Sequence, residues 1–223
     1  MRTTVDVAHT CDSSGLCEEV DTVDHSPRVV TTGSVAALLA DEAPLVRGHC
    51  LVLTRRHVPR SSLLSTSEYV QLGEFVHQSR RIVEDVTREA TITVEHGAAD
   101  GRSVWDCVRH AHVHVVPADL RLTGPSIDEI ASAFMNVVAK LPSDEPHRTR
   151  TELLALPEYL TLAVNQEIWV GTPKPDIRHG SRALIVRLCG LNETLIDWGI
   201  WARGRAFHES LATLKPGMAA IDG

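Results

Sequence analysis

Apolar residues in this chain recur at two different periods, and the places where the period changes mark out its elements. Between Arg28 and Ala40 the run RVVTTGSVAALLA places β-branched and apolar residues on either side of Thr32-Gly33, which predicts two strands around a turn. Gly48 to Thr54 (GHCLVLT) predicts a third short strand. After Ser65-Thr66-Ser67-Glu68, which has the spacing of a capping box, Leu72, Phe75, Val76, Ile82, Val83 and Val86 return at helical intervals and predict one long amphipathic helix. Thr91 to Glu95 alternates, HGAADGRS predicts a loop, and His110 to Val116 alternates again until Pro117 stops it. The order of strands, helix and strands predicts an α+β fold with an antiparallel sheet.

Beyond Pro117 the pattern is weaker. Ser126 with Asp128 and Glu129 in its first turn predicts a second helix through about Lys140, and LPSDEPHRTR then predicts a surface linker. YLTLAVNQEIWV predicts a hairpin, and a helix is expected near Ser181 to Leu188, ending at Gly190. Residues 1–26 are polar and acidic without an apolar period and predict a loop or frayed arm.

Composition narrows the classes. With 223 residues and 43% hydrophobic content, one main domain plus an appendage is expected. No run of apolar residues approaches the ~20 needed to span a bilayer, and MRTTVDVAHT lacks the order of a secretory signal, so a cytoplasmic location is expected. A net charge of -7 disfavours nucleic acid polymers and anionic membranes as partners, while a small anionic substrate remains compatible with it. Five widely spread cysteines (Cys11, Cys17, Cys50, Cys107 and Cys189) argue for thiols or metal ligation over a disulfide framework.

The sharpest feature is His110-Ala111-His112-Val113-His114-Val115-Val116-Pro117. In a strand, residues i, i+2 and i+4 share a face at roughly 6.6 Å per step. The three imidazoles therefore point one way, and Ala111, Val113 and Val115 point into a core. A neutral imidazole attacks phosphorus well when its second nitrogen is held by an acceptor, typically a backbone carbonyl. His-x-His on a strand also chelates metals, and a surface stripe without a role is the third reading. Residue pattern alone leaves all three open.

The run resembles the signature of the histidine triad (HIT) family, His-φ-His-φ-His-φ-φ with φ apolar. Asp41-Glu42-Ala43-Pro44-Leu45-Val46-Arg47-Gly48-His49-Cys50-Leu51-Val52 resembles the family's upstream segment, Arg56-His57-Val58 continues it, and Glu95-His96-Gly97 resembles the turn before the triad. The blocks cover roughly residues 28–118 in the family's order. The resemblance implies a five-stranded antiparallel sheet with a long helix, usually in a homodimer, and cleavage or transfer of a nucleoside monophosphate through a nucleotidyl-histidine, with no metal or other cofactor in the chemical step. It makes His112 the nucleophile, His110 and His114 its supporting pair, and Asp41 a ligand of the ribose hydroxyls, against an ordinary turn residue before Pro44. His49 is expected to be structural.

Cys107 falls where relatives carry a serine or threonine that assists the leaving group, and a thiol donates only weakly. Asp106 replaces a glutamine that contacts phosphate, and its charge would repel a phosphate oxygen. Arg102, Ser103 and Arg109 are the candidate substitutes as phosphate contacts, each equally readable as a solvent-facing loop residue. Some relatives hold a structural zinc on two cysteines and two histidines; here Cys11 and Cys17, with His57 or His110, would have to supply it, at a looser spacing.

The expected organisation is an arm (1–26), a HIT domain (27–120) and a C-terminal α/β extension (121–223) that covers the active site. Arg178, Arg182 and Arg187 are its candidates for an anionic group, with Arg182 and Arg187 equally readable as a polar helix face opposite Leu184, Ile185 and Leu188. Trp169, Trp198 and Trp201 are read as core before base-stacking platforms. Against the nucleotidyl enzyme stand a metal-dependent hydrolase using the three histidines as ligands and a catalytically silent nucleotide-binding protein.

Overall fold

The computed structural model describes residues 16, 22–98, 110–119, 126–177, 179–197 and 202–215. Strands β1 (Val29–Thr32), β2 (Ala36–Ala40), β3 (Cys50–Thr54), β4 (Thr91–Ala98), β5 (His112–Pro117), β6 (Met135–Pro142), β7 (Glu158–Val164) and β8 (Glu167–Pro173) form one sheet in the order β1-β2-β3-β5-β4-β7-β8-β6. Every neighbouring pair is antiparallel. The five expected strands are the first half of this sheet. The extension continues it: β7 pairs with β4 from Ile92 to Ala98, so the edge that a five-stranded sheet would leave open is closed within the chain.

Helix α1 (Thr66–Thr87) starts at the expected capping box, with the Glu68 N–H donating to Ser65 Oγ and the Ser65 N–H donating back to the Glu68 carboxylate. Its buried residues Leu72, Phe75 and Val83 pack on Ala111, Val113 and Val115, which face away from the histidines as the alternation requires. Burial of such side chains contributes roughly 1.5–3 kcal/mol each. On the opposite face, Leu39 and Leu53 form one apolar patch with Val23 and Leu16, and Ile92, Val94, Leu160 and Leu162 form another. The second is covered by α2 (Ile127–Phe134) and α4 (Gly180–Leu188) through Ile130, Ala131, Leu184 and Ile185. The histidine stripe lies between the two patches. Helices α3 (Pro146–Ala155) and α5 (Arg205–Leu214) lie on the α1 face.

Four boundaries differ from expectation. The second helix begins at its capping box on Ser126 but ends at Phe134, and Met135–Pro142 is a strand. Pairing with β8 overrides local preference there, and Lys140 lies over Trp169 at 4.4 Å from the ring centroid, directly across the pair. Pro146, within the expected linker, opens α3, where its missing N–H costs nothing. His96-Gly97-Ala98 is strand because β7 pairs with it. Residues 23–25, within the expected arm, form a 3₁₀ turn with Val23 buried. The hairpin β7–β8 and helix α4 lie where expected, with Gly190 at φ +62 after the helix.

Candidate functional site

The β3–β5 register sets Leu51 opposite His114 and Leu53 opposite His112, which places both imidazoles on the face shared with the two apolar patches. Their ring centroids lie 5.2 Å apart, edge to face. His110, just before β5, is 1% exposed and His114 is 7% exposed, whereas His112 keeps part of its surface open.

The hydrogen bonds fix the protons. His112 Nδ1 lies 2.7 Å from the carbonyl oxygen of His110. A carbonyl can only accept, so Nδ1 carries the proton and Nε2 keeps its lone pair. Burial lowers the basicity of His112, and the proximity of His96 adds to this, while the His110 carbonyl and Asp41 pull the other way; the balance keeps the imidazole neutral below the usual histidine range. His110 donates from Nε2 to the Thr54 carbonyl at 2.7 Å, and burial pushes its pKa down to about 4.

A second chain of bonds runs from the segment between β2 and β3. The Leu45 N–H donates to His49 Nδ1 at 3.2 Å, so neutral His49 carries its proton on Nε2. That nitrogen lies 3.0 Å from His114 Nδ1 and donates to it, leaving the His114 proton on Nε2. His49 is completely buried, and burial pushes its pKa down to about 4. His114 is held well below the ordinary range by burial, then by His112, His49 and Arg182. Gly48, at φ +90, makes the entry into this strand; a Cβ there would lie 2.6 Å from Thr87 Cγ2.

Asp41 is buried, with Oδ1 accepting the Ala43 N–H at 2.7 Å and Oδ2 lying 3.6 Å from His49 Nε2 and 4.0 Å from His114 Nδ1. Burial opposes its ionisation, but His49, Arg182, the Ala43 N–H and Arg28 hold the carboxyl below its ordinary value. Oδ1 thus makes the turn read as the alternative in the sequence, while Oδ2 faces His49 and His114.

Arg182 is buried on α4, not part of a polar helix face. Its Nε and Nη2 donate to the carbonyls of Ile196 and Leu195, and Nη1 lies 4.0 Å from Asp41 Oδ1. Arg187 on the same helix is exposed. Trp169 is core, its indole N–H donating to Asp128 at 2.6 Å. Arg102, Ser103, Asp106, Cys107, Arg109, Arg178, Trp198 and Trp201, like Cys11 and Cys17, lie outside the described residues.

Sequence reasoning passed over one pair. His96 Nε2 and Glu158 Oε1 lie 2.7 Å apart, joining β4 to the extension. Continuing the register Val94↔His114 by two residues sets His96 opposite His112. The alternation of β4 is readable in sequence; the pairing of β4 with β7, which brings Glu158 there, is not.

Two groupings bear on metal binding. Among the described residues, Asp41, His49 and His114 are the trio whose ligand-type atoms lie within 4.8 Å of one another. A cation there would need the proton off His49 Nε2, which moves it to Nδ1 against the Leu45 N–H, and Arg182 already faces the carboxylate; the trio does not suit a metal. His57 Nδ1 lies 3.2 Å from His110 Nδ1, and the Thr54 carbonyl turns the His110 Nδ1 lone pair toward it. That pair suits two nitrogen ligands of a tetrahedral ion, with the expected cysteines outside the described residues. The imidazoles of His110, His112 and His114 do not form a converging ligand trio among the described residues.

Residues 23–120 match the family model described as HIT domain. The chain is 31% identical over 83 residues to a bis(5'-nucleosyl)-tetraphosphatase (asymmetrical) of Schizosaccharomyces pombe, covering 37% of this chain and 44% of that protein. It is 29% identical over 86 residues to a bis(5'-adenosyl)-triphosphatase of Dictyostelium discoideum, covering 39% and 56%. It is 33% identical over 91 residues to an uncharacterized HIT-like protein of Mycobacterium tuberculosis, covering 40% and 60%. The chain spans about half the length of these relatives.

Proposed function

Because residues 23–120 place the chain in the histidine triad (HIT) superfamily, we propose that it hydrolyses or transfers a nucleoside monophosphate from a phosphoanhydride, phosphoramidate or related donor, by way of a nucleotide bound covalently to His112. The observation that carries this reading is the His112 Nδ1–H to His110 carbonyl bond, which leaves a neutral Nε2 lone pair on a half-buried ring as the nucleophile.

The steps follow from the protons. The His112 Nε2 lone pair attacks the α-phosphorus in line, and the bond from phosphorus to the leaving group breaks, the leaving group departing with the electron pair and taking its proton from solvent. The imidazole becomes a cation bonded to phosphorus, still holding its Nδ1 proton against the His110 carbonyl, an acceptor that binds a cationic donor more strongly than a neutral one. The Nε2 proton of His114 is a donor for a phosphate oxygen as charge spreads over it. Water, or another acceptor, then attacks phosphorus and gives up its proton to solvent, the P–N bond breaks with its electron pair returning to Nε2, and His112 leaves as the neutral imidazole it began as. No step needs a metal or cofactor.

Asp41 is the candidate for the ribose hydroxyls, and Arg102, Ser103 and Cys107 are the remaining candidates for substrate contact; Arg182, expected there from the sequence, turns its donors to Ile196, Leu195 and Asp41 instead. The extension 121–223 is proposed as a cover over the nucleotide, because α4 and Arg182 sit on the histidine face. We place the protein in the cytoplasm; among the described residues no helix is long and apolar enough to cross a membrane. A homodimer, which the family resemblance implies, would have to form away from β4, since β5 and β7 occupy both of its sides.

The test is turnover of adenosine 5′-phosphoramidate, a dinucleoside polyphosphate and a nucleotide sugar by the wild type and His112→Asn, each with and without chelator. Chelator-insensitive turnover that vanishes in the variant supports the reading. Chelator-sensitive turnover supports a metal hydrolase instead, and nucleotide binding without turnover in either protein supports a silent binding module.

A further inference from the structure

The segment 41–49 carries Asp41 and His49, and the extension grips it at three points. Arg182 Nη1 approaches Asp41 Oδ1 at 4.0 Å. The Arg203 N–H donates to the Glu42 carbonyl at 2.6 Å, and its guanidinium lies 2.7 Å from the Glu42 carboxylate. Ser210 Oγ on α5 accepts the Gly48 N–H at 3.1 Å. Of the three, only Arg182 puts a charge beside the histidines. It is fixed there by the carbonyls of Leu195 and Ile196, which take its Nε and Nη2 protons and leave Nη1 toward Asp41.

We propose that Arg182 is a positioning residue: it balances the charge of Asp41 and so holds His49 and His114 in the one neutral tautomeric arrangement that leaves a proton on His114 Nε2. This rests on the reading of His112 as nucleophile with His114 beside it on the phosphate.

The physical need is plain from the distances. An ionised Asp41 at 3.6 Å from His49 favours a protonated His49. A second proton on His49 can go only to Nδ1, where it meets the Leu45 N–H; the ring would then have to turn, and His114 Nδ1 would lose its donor. With that donor gone, the His114 proton is free to move to Nδ1, the wrong nitrogen for a phosphate oxygen. The cationic Arg182 weighs against protonation of both rings. Among the described residues, the other charged or titratable groups around the cluster are His112 on β5, His96 on β4, Cys50 on β3, Arg28 beside β1 with its partner Glu42, and Asp197 after α4. Among these, Arg182 is the cation common to Asp41, His49 and His114.

The experiment is nitrogen-15 NMR of the imidazoles across pH 5 to 8, without nucleotide, in the full-length wild type, Arg182→Met and Arg182→Lys. Assignments come from single histidine substitutions. In the wild type, His49 and His114 are expected to remain neutral with the proton on Nε2 throughout. In Arg182→Met the midpoint of the pair rises by about one pH unit and His114 shows mixed tautomers, while Arg182→Lys keeps the wild-type pattern. In parallel, kcat of Arg182→Met falls about tenfold with KM nearly unchanged. An unaltered nitrogen-15 pattern in folded Arg182→Met overturns the proposal. So does a rise in KM at constant kcat, which would make Arg182 a direct substrate contact. Should Arg182→Met not fold, the double variant Asp41→Asn with Arg182→Met removes both charges: wild-type tautomers there support the proposal, and a His49 protonated near neutral pH overturns it. Because the NMR needs no substrate, its outcome is separate from whether a nucleotidyl adduct forms on His112.

Discussion

The Nδ1 atom of His112 points at the carbonyl oxygen of His110 across 2.7 Å, so the strand that presents His112 also sets its tautomer. The two residues are neighbours on one face of the chain, and no distant group is needed to orient the His112 ring. His49 does the same for His114 from the segment between β2 and β3, with the opposite result: one imidazole is left with a lone pair on Nε2 and the other with a proton.

Replacing His112 by Asn keeps a polar side chain of similar reach and removes the proposed nucleophile. The ring makes one hydrogen bond and is partly exposed, so the melting temperature is expected to stay close to wild type. Turnover should fall on the order of 10⁴-fold or more. Calorimetry and steady-state kinetics on the same preparation check both halves; a variant with appreciable activity places the nucleophile elsewhere.

The acid limb of activity follows from the lowered pKa of His112. As the proposed nucleophile His112 must be neutral, and burial holds its pKa below the ordinary value of 6.5, so the midpoint of the acid limb of kcat/KM should lie below pH 6.5. A pH profile of kcat/KM on one donor reads this directly. A limb centred at or above 6.5 contradicts the neutral, half-buried setting.

Acid should also cost stability before the carboxylates titrate. His49 and His110 have folded pKa values of about 4 against 6.5 in the unfolded chain. The unfolded state therefore takes up protons first, and the stability present above pH 6.5 is lost as pH falls toward 4. Each group accounts for on the order of 3 kcal/mol over that window. Urea unfolding at pH 7.5, 6, 5 and 4 should show this decline, and His49→Gln should flatten part of it.

Gly48→Ala tests how the 41–49 segment is seated. The residue has φ +90, and a Cβ would lie 2.6 Å from Thr87 Cγ2. The expected loss is roughly 1–3 kcal/mol from backbone strain, with a further loss of activity because His49 follows directly. Denaturant melts compared with Gly73→Ala, where a Cβ meets nothing within 4 Å, separate the local strain from a general effect of removing a glycine.

Much of the first half of the fold was legible because periodicity and capping agreed with packing: the capping box at Ser65, the alternation of Ala111, Val113 and Val115, and the histidine stripe are local signals that the tertiary structure leaves intact. Less of the second half was, beyond the Ser126 capping box, the β7–β8 hairpin and α4. Met135–Pro142 reads as a continuation of a helix, and only the partner strand β8, with Trp169 beneath Lys140, makes it a strand. Arg182 reads as the polar face of a helix because its neighbours have an amphipathic period. Its burial depends on Leu195, Ile196 and Asp41, which approach from two other parts of the chain. The His96–Glu158 pair is hidden for the same reason: one partner belongs to the family-like region and the other to the extension.

The most direct measurement is intact-protein mass spectrometry after brief, acid-free quenching of the wild type with each of the three donors, followed by peptide mapping. The account predicts a single added nucleoside monophosphate on the peptide containing His112, stable to base, released by acid and absent from His112→Asn. Turnover of a donor with no such adduct at any time point, or an adduct that persists on the His112→Asn protein, would contradict it.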